Sequence, residues 1–128
     1  MTTLTNHLRA GAFLVSEGNG HISRDQVTIH GGYTGAPSLI KAGTVLGKIT
    51  SGGKYTPSPN TGSDGSQTAV AVLFDDVDVS ATDVLATVIS REAEVRASDL
   101  LYEGTVDDDT KKGTKATQLA AVGIIVRS

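Results

Sequence analysis

Cysteine is absent from the 128-residue chain, which excludes disulfides, thiolate metal sites and a cysteine nucleophile. Tryptophan is absent as well, and only two Phe and three Tyr are present. The core must therefore be assembled from Val, Ile, Leu and Ala, which bury less surface per side chain than aromatic rings do. No apolar run approaches the roughly 18 residues that span a bilayer. The N-terminal Met-Thr-Thr-Leu-Thr-Asn-His-Leu-Arg also lacks a basic region followed by an apolar one, so the expectation is a soluble chain that is neither secreted nor membrane-bound. An excess of positive charge is missing too. Eleven Lys and Arg stand scattered against fourteen Asp and Glu, for a net charge of −3. Binding of nucleic acid by phosphate neutralisation needs clustered bases on one face, and no direct nucleic-acid partner is expected.

What is present reads as one domain. Hydrophobic residues make up 38% of the chain, enough for one core but not a generous one, and contacts with neighbouring subunits would add stability. Residues 1–10 are polar and Thr-rich and read as an arm, leaving 11–128 as the domain. Ala12-Phe13-Leu14-Val15 is a short apolar run closed by Asn19-Gly20, a strand followed by a turn. Gln26 to His30 alternates as a half-buried strand does and stops at Gly31-Gly32. Thr44 to Thr50 is β-branched and bounded by glycines, again a strand. Ser51 to Gln67 is dominated by Gly, Ser, Thr, Pro, Asn and Asp, with Tyr55 its only large apolar group. That composition predicts a long surface loop, mobile or engaged with a partner. Ala69 to Phe74 and Val84 to Ile89 form the strongest apolar runs and read as two core strands separated by a turn at Ser80 to Asp83. Glu92 to Leu101 fits either a strand extension or a helical turn. Asp107-Asp108-Asp109-Thr110-Lys111-Lys112 puts acids ahead of bases, the order that complements a helix dipole, with Ala116, Leu119 and Ala120 at helical spacing. Gly123 ends that helix, and Ile124 to Val126 reads as a last strand. The class is mainly β with a short C-terminal helix (α+β), without internal repeats.

Segments that suggest chemistry have plainer explanations. Gly43-Thr44-Val45-Leu46-Gly47-Lys48 looks like a phosphate-cradling loop, but it has three residues between the glycines instead of four, and Ile49 stands where Ser or Thr should meet magnesium. Asp76-Val77-Asp78-Val79-Ser80 starts like a calcium loop but has Ala81 and Thr87 where that loop needs Gly and Glu. Alternating acids outside and Val77 and Val79 inside explain it better. His7, His21 and His30 are too far apart for a helical metal pair. Ser38 and Ser66 are not presented on the strained turn of a nucleophile elbow, and helix capping accounts for Asp107 to Asp109. No catalytic, cofactor-binding or metal residue is assigned, and the chain does not read as an enzyme.

The order and spacing of several segments resemble the head decoration proteins of tailed bacteriophages, the family that includes the decoration protein of phage lambda. The carriers are Ala42 to Thr50, Gly53-Lys54-Tyr55-Thr56-Pro57, Asp64 to Leu73 and Asp75-Asp76-Val77-Asp78. Behind them come Thr110-Lys111-Lys112 with Leu119 and the closing Val122 to Val126. The resemblance covers roughly Leu39 to Arg127, while the polar segment before Leu39 departs from the lambda protein. It implies a compact β-rich barrel or tulip-like knob with a flexible N-terminal arm, a late structural protein of the virion. It further implies homotrimers at three-fold and quasi-three-fold positions on the outer surface of the expanded capsid. There they would stabilise the head against packaged DNA after a stage in the host cytoplasm. The partner implied is the major capsid protein, met by an N-terminal segment that orders on binding and adds to a strand of the shell. The physical candidates for that segment here are Thr2, Thr3, Leu4, Thr5, Asn6, His7 and Leu8, whose Thr content suits edge pairing and whose two Leu suit small pockets.

Three other classes fit less of the chain. Gly43 to Ile49 is also similar to strands of biotinyl and lipoyl carriers, but Lys48 and Lys54 lack the Asp or Met neighbours those families place beside the modified lysine. Another phage structural β domain is compatible with the same strands. A small hydrolase built from scattered Ser, His and Asp would need a deep pocket that gathers them.

Overall fold

The computed structural model describes residues 13–18, 22–31, 39–79 and 82–127. Among them the strands are β1 (Leu14–Glu17), β2 (Arg24–Ile29), β3 (Leu39–Ile40), β4 (Val45–Lys48), β5 (Tyr55–Pro57), β6 (Ala69–Leu73), β7 (Val77–Asp78), β8 (Val84–Ile89), β9 (Ala93–Arg96) and β10 (Ile124–Arg127), with one helix α1 (Asp109–Ala120). β2-β5-β4-β6-β8 close a barrel, β1-β9-β10 form a three-stranded sheet beside it, and β3 pairs with β7. The fold is mainly β with a C-terminal helix, as the periodicities indicate.

The apolar runs are continuous because their strands form a wall between two cores. Val45, Val72 and Ile89 face a cluster with Phe13, Val95, Leu119 and Ile124 between the sheet and the helix. Their chain neighbours Leu46, Ala71, Leu73 and Val88 face the barrel interior with Ile29, Ile40 and Val79. A strand buried on both faces has no polar side to alternate, so Ala69 to Leu73 shows an unbroken hydrophobic pattern. β2 and β8, with one more exposed face, keep the alternation and pair over six residues from Arg24↔Ile89 to Ile29↔Val84.

The segment 51–67 differs from the surface loop its composition indicates. Tyr55–Pro57 is a barrel strand, antiparallel to β4 through Leu46↔Pro57, Gly47↔Thr56 and Lys48↔Tyr55 and joined to β2 at Ile29↔Tyr55. Residues 58–67 are then held down: Ser58 and Ser66 are buried, and the Ser58 hydroxyl donates to the Ser66 carbonyl at 2.7 Å. This carbonyl crosses β4 so closely that a Cβ on Gly47 would sit 1.9 Å from it.

The helix supplies the other half of that clamp. Asp108 is its N-cap, its carboxylate accepting the Lys111 backbone N–H at 2.8 Å, and Gly123 at φ 88° ends the turn that follows. Lys115 and Leu119, four residues apart, are its buried residues, while Ala120 of the expected apolar stripe is exposed. Lys115 points its ammonium into the 58–67 segment and donates to Ser58 Oγ at 2.9 Å, Pro59 O at 2.6 Å and Gln67 O at 2.6 Å. Burial pushes its pKa down, against a smaller upward pull from Glu103.

Candidate functional site

Three chain segments meet at one end of the small sheet. Phe13 is fully buried in the sheet–helix core, and its carbonyl accepts the Arg96 backbone N–H at 2.8 Å. Leu14 is in register with Val95, with an irregularity at Val15 that turns both Val15 and Ser16 outward. Across β9, Val126 and Arg127 are in register with Val95 and Arg96. β1 runs antiparallel and β10 parallel to β9, so the chain enters the described fold at Phe13 and leaves it at Arg127 from the same end of the sheet. The two points lie two strand spacings apart, about 10 Å. The parallel pairing of β9 and β10 requires a long crossover, which α1 supplies. The residues Thr2 to Leu8 assigned to shell contact lie outside the described residues, and so does His7 with them. Their point of attachment is the seated Phe13.

This end also carries charge. Arg96 Nη1 donates to Asp99 at 2.9 Å, and Arg127 reaches both Glu94 carboxylate oxygens at 3.4 Å. At the opposite end of β9, Asp25 receives the Ser90 hydroxyl at 2.6 Å and the Arg91 guanidinium, which together hold its carboxyl below the usual carboxylate range despite some burial.

The segments weighed for chemistry are occupied structurally. In the glycine-lysine segment the Gly43, Thr44 and Val45 N–H groups donate to Leu73 O, Lys41 O and Leu101 O, which leaves none of these three donors for a phosphate. Asp76 accepts the Ala42 N–H at 2.7 Å, a tie between β7 and β4's approach that the reading of a solvent-facing acid missed; Val77 is half-buried and Val79 fully buried, facing in as expected. His30 Nδ1 lies 3.9 Å from Asp83, whose carboxylate also takes Lys54 Nζ at 2.6 Å and the Gly31 N–H at 2.7 Å. The Lys54 contact first, then the Gly31 N–H, hold the Asp83 carboxyl below its ordinary range. Lys54 is therefore tied back against β8, and the turn between β4 and β5 bends at Gly52 and Gly53, with no lysine at its tip. His21 lies outside the described residues. A shallow depression of about 360 Å³ between β7 and β8 is lined by Gln26, Phe74, Asp75, Asp76, Val77 and Leu85 among others, without a histidine. Among the described residues no group of three or more His, Asp or Glu could hold a metal ion.

A family model described as bacteriophage lambda head decoration protein D matches residues 3–124. The chain belongs to this family. The match begins at Thr3, so the segment before Leu39 is part of the family pattern and not the departure from it expected above. No curated protein matches the chain. Membership makes this a structural protein of the phage head that decorates the capsid. No helix among the described residues is long and apolar enough to cross a membrane.

Reasoning from sequence missed the convergence of Phe13, Arg96 and Arg127, because it depends on β10 pairing with β9 across the helix. It also missed Lys115. The spacing to Leu119 was the available signal, since residues four apart share a helix face.

Proposed function

We propose that this decoration protein binds the outside of the expanded head as a homotrimer at three-fold and quasi-three-fold positions and cements it against the pressure of packaged DNA. Its partner is the major capsid protein, and it reaches the virion from the host cytoplasm. Contact begins with Thr2 to Leu8, which add to a strand of the shell. The observation that carries this reading beyond family membership is the sheet end at which the chain both enters and leaves. Phe13 anchors the preceding segment there, and the twelve residues before it would reach about 40 Å if extended. That end faces the shell.

The mechanism needs no bond-making. A ligand that binds the expanded shell and not its precursor stabilises the expanded form by its binding free energy, summed over many sites. Within a trimer, three arms on three neighbouring capsid subunits make release slow even when each arm binds modestly.

Co-sedimentation with expanded, undecorated capsids tests this, with unexpanded shells as the control. Saturable binding to expanded shells alone is expected, and deletion of Thr2 to Leu8 is expected to abolish it with the domain still folded. Equal binding to both shell forms, or full binding by the deletion variant, would overturn the respective part of the reading.

A further inference from the structure

We propose that Arg96 and Arg127 form a carboxylate-binding contact for the shell, taking acidic side chains of the capsid protein beside the point where the N-terminal segment leaves the fold. The inference rests on the reading that this end of the sheet faces the shell. Its own basis is the register of β9 and β10, which makes Arg127 and Arg96 direct partners on the same face. Like charges opposite one another on adjacent strands are destabilising. Here both are exposed, with side chains 51% and 58% accessible for Arg96 and Arg127, in a chain of net charge −3.

Glu94 and Asp99 offset that repulsion without saturating it. Arg96 uses one guanidinium nitrogen on Asp99. Arg127 contacts Glu94 with two nitrogens, but at 3.4 Å these bonds are far longer than the roughly 2.8 Å of a tight guanidinium–carboxylate pair. The acids thus orient the two forks and leave most of their N–H donors facing water. A planar fork with free donors matches an incoming carboxylate in a way an ammonium does not. Ile125, two residues before Arg127 and 39% exposed, adds an apolar edge on the same face, in register with Glu94. A charged rim beside an extended arm speeds encounter and fixes orientation, and the arm supplies the grip. Contrast Arg91 at the other end of β9, whose guanidinium is engaged by Asp25 and by the Ile22 carbonyl.

The test is binding to expanded, undecorated shells at low and at physiological salt, comparing wild type, Arg96→Gln/Arg127→Gln, Arg91→Gln and the Thr2 to Leu8 deletion. Circular dichroism monitors folding. Wild-type affinity should fall as salt rises. The double glutamine variant should bind about tenfold more weakly at low salt and lose most of that salt dependence, with Arg91→Gln close to wild type. Arg127→Gln alone, at the end of β10, should show a smaller loss in the same direction and serves if the double variant is unstable. Binding by the double variant within about twofold of wild type, with the same salt dependence, overturns the contact even where the arm deletion abolishes binding. Absence of wild-type binding to expanded shells overturns the underlying reading as well.

Discussion

The helix and the small sheet treat positive charge in opposite ways. Beside the helix, Lys115 is buried and its ammonium meets three oxygens, from Ser58, Pro59 and Gln67. Beside the chain ends, Arg96 and Arg127 lie next to each other in water, with long or single contacts to Glu94 and Asp99. The first arrangement serves the fold, because a buried cation with every donor satisfied has nothing left to offer a partner. The second gains the fold little, because exposed ion pairs contribute at most about 1 kcal/mol and like charges in register take some of that back. Removing a cation should therefore cost stability at the helix end and binding at the sheet end.

The largest expected effect on stability is Lys115→Met. It keeps the length of the side chain but leaves the Pro59 and Gln67 carbonyls buried without their donor, and should cost about 3 kcal/mol in urea unfolding. A loss below about 1 kcal/mol would mean that the 58–67 segment holds to the barrel without this clamp, and the contrast between the two sites would collapse.

A smaller effect comes from Asp25, which contacts Ser90 and Arg91 and neither of these cations. Its folded-state pKa is lowered, by the Ser90 hydroxyl first and by Arg91 after it, so the carboxylate binds fewer protons in the folded than in the unfolded chain. Its contribution is fully present above the ordinary value of 3.8 and is lost as pH falls through the lower folded value. Asp25→Asn should therefore be less stable than wild type at neutral pH and show a shallower loss in acid. Parallel pH profiles for the two proteins would remove Asp25 from the acid response.

Smallest of all should be the stability change in Arg96→Gln/Arg127→Gln, within about 0.5 kcal/mol of wild type by urea unfolding. A larger loss would make the arginines structural and bring the two sites closer in kind.

How far the sequence alone leads follows from the same physics. β2, β8 and the doubly buried β6 are legible because six- and five-residue strands are long enough for their burial to leave a pattern. The helix is legible from its acids-first charge order and the glycine behind it, and both readings of Glu92 to Leu101 come true in sequence, as β9 and then a 3-10 turn at Ala97–Asp99. β5 is not legible: three residues with a single aromatic cannot display a period, and its membership of the barrel comes from partners on β4 and β2. β3, with two residues, is hidden for the same reason, while β7 is legible only as a strand end with Val77 and Val79 facing in. Lys115 is hidden because a lysine in a helix is ordinarily solvated, and its burial depends on three oxygens supplied from 48 or more positions away. The arm proposed for shell contact rests on family resemblance, whereas the arginine pair needs the parallel register of β10 on β9, a contact the local sequence does not encode.

The most direct test of which end meets the shell is amide hydrogen exchange on the free protein and on the protein bound to expanded capsids. Binding by the sheet end predicts added protection in residues 13–17, 93–97 and 124–127, with 58–68 and the helix unchanged. Added protection confined to 58–68 and the helix would contradict the account.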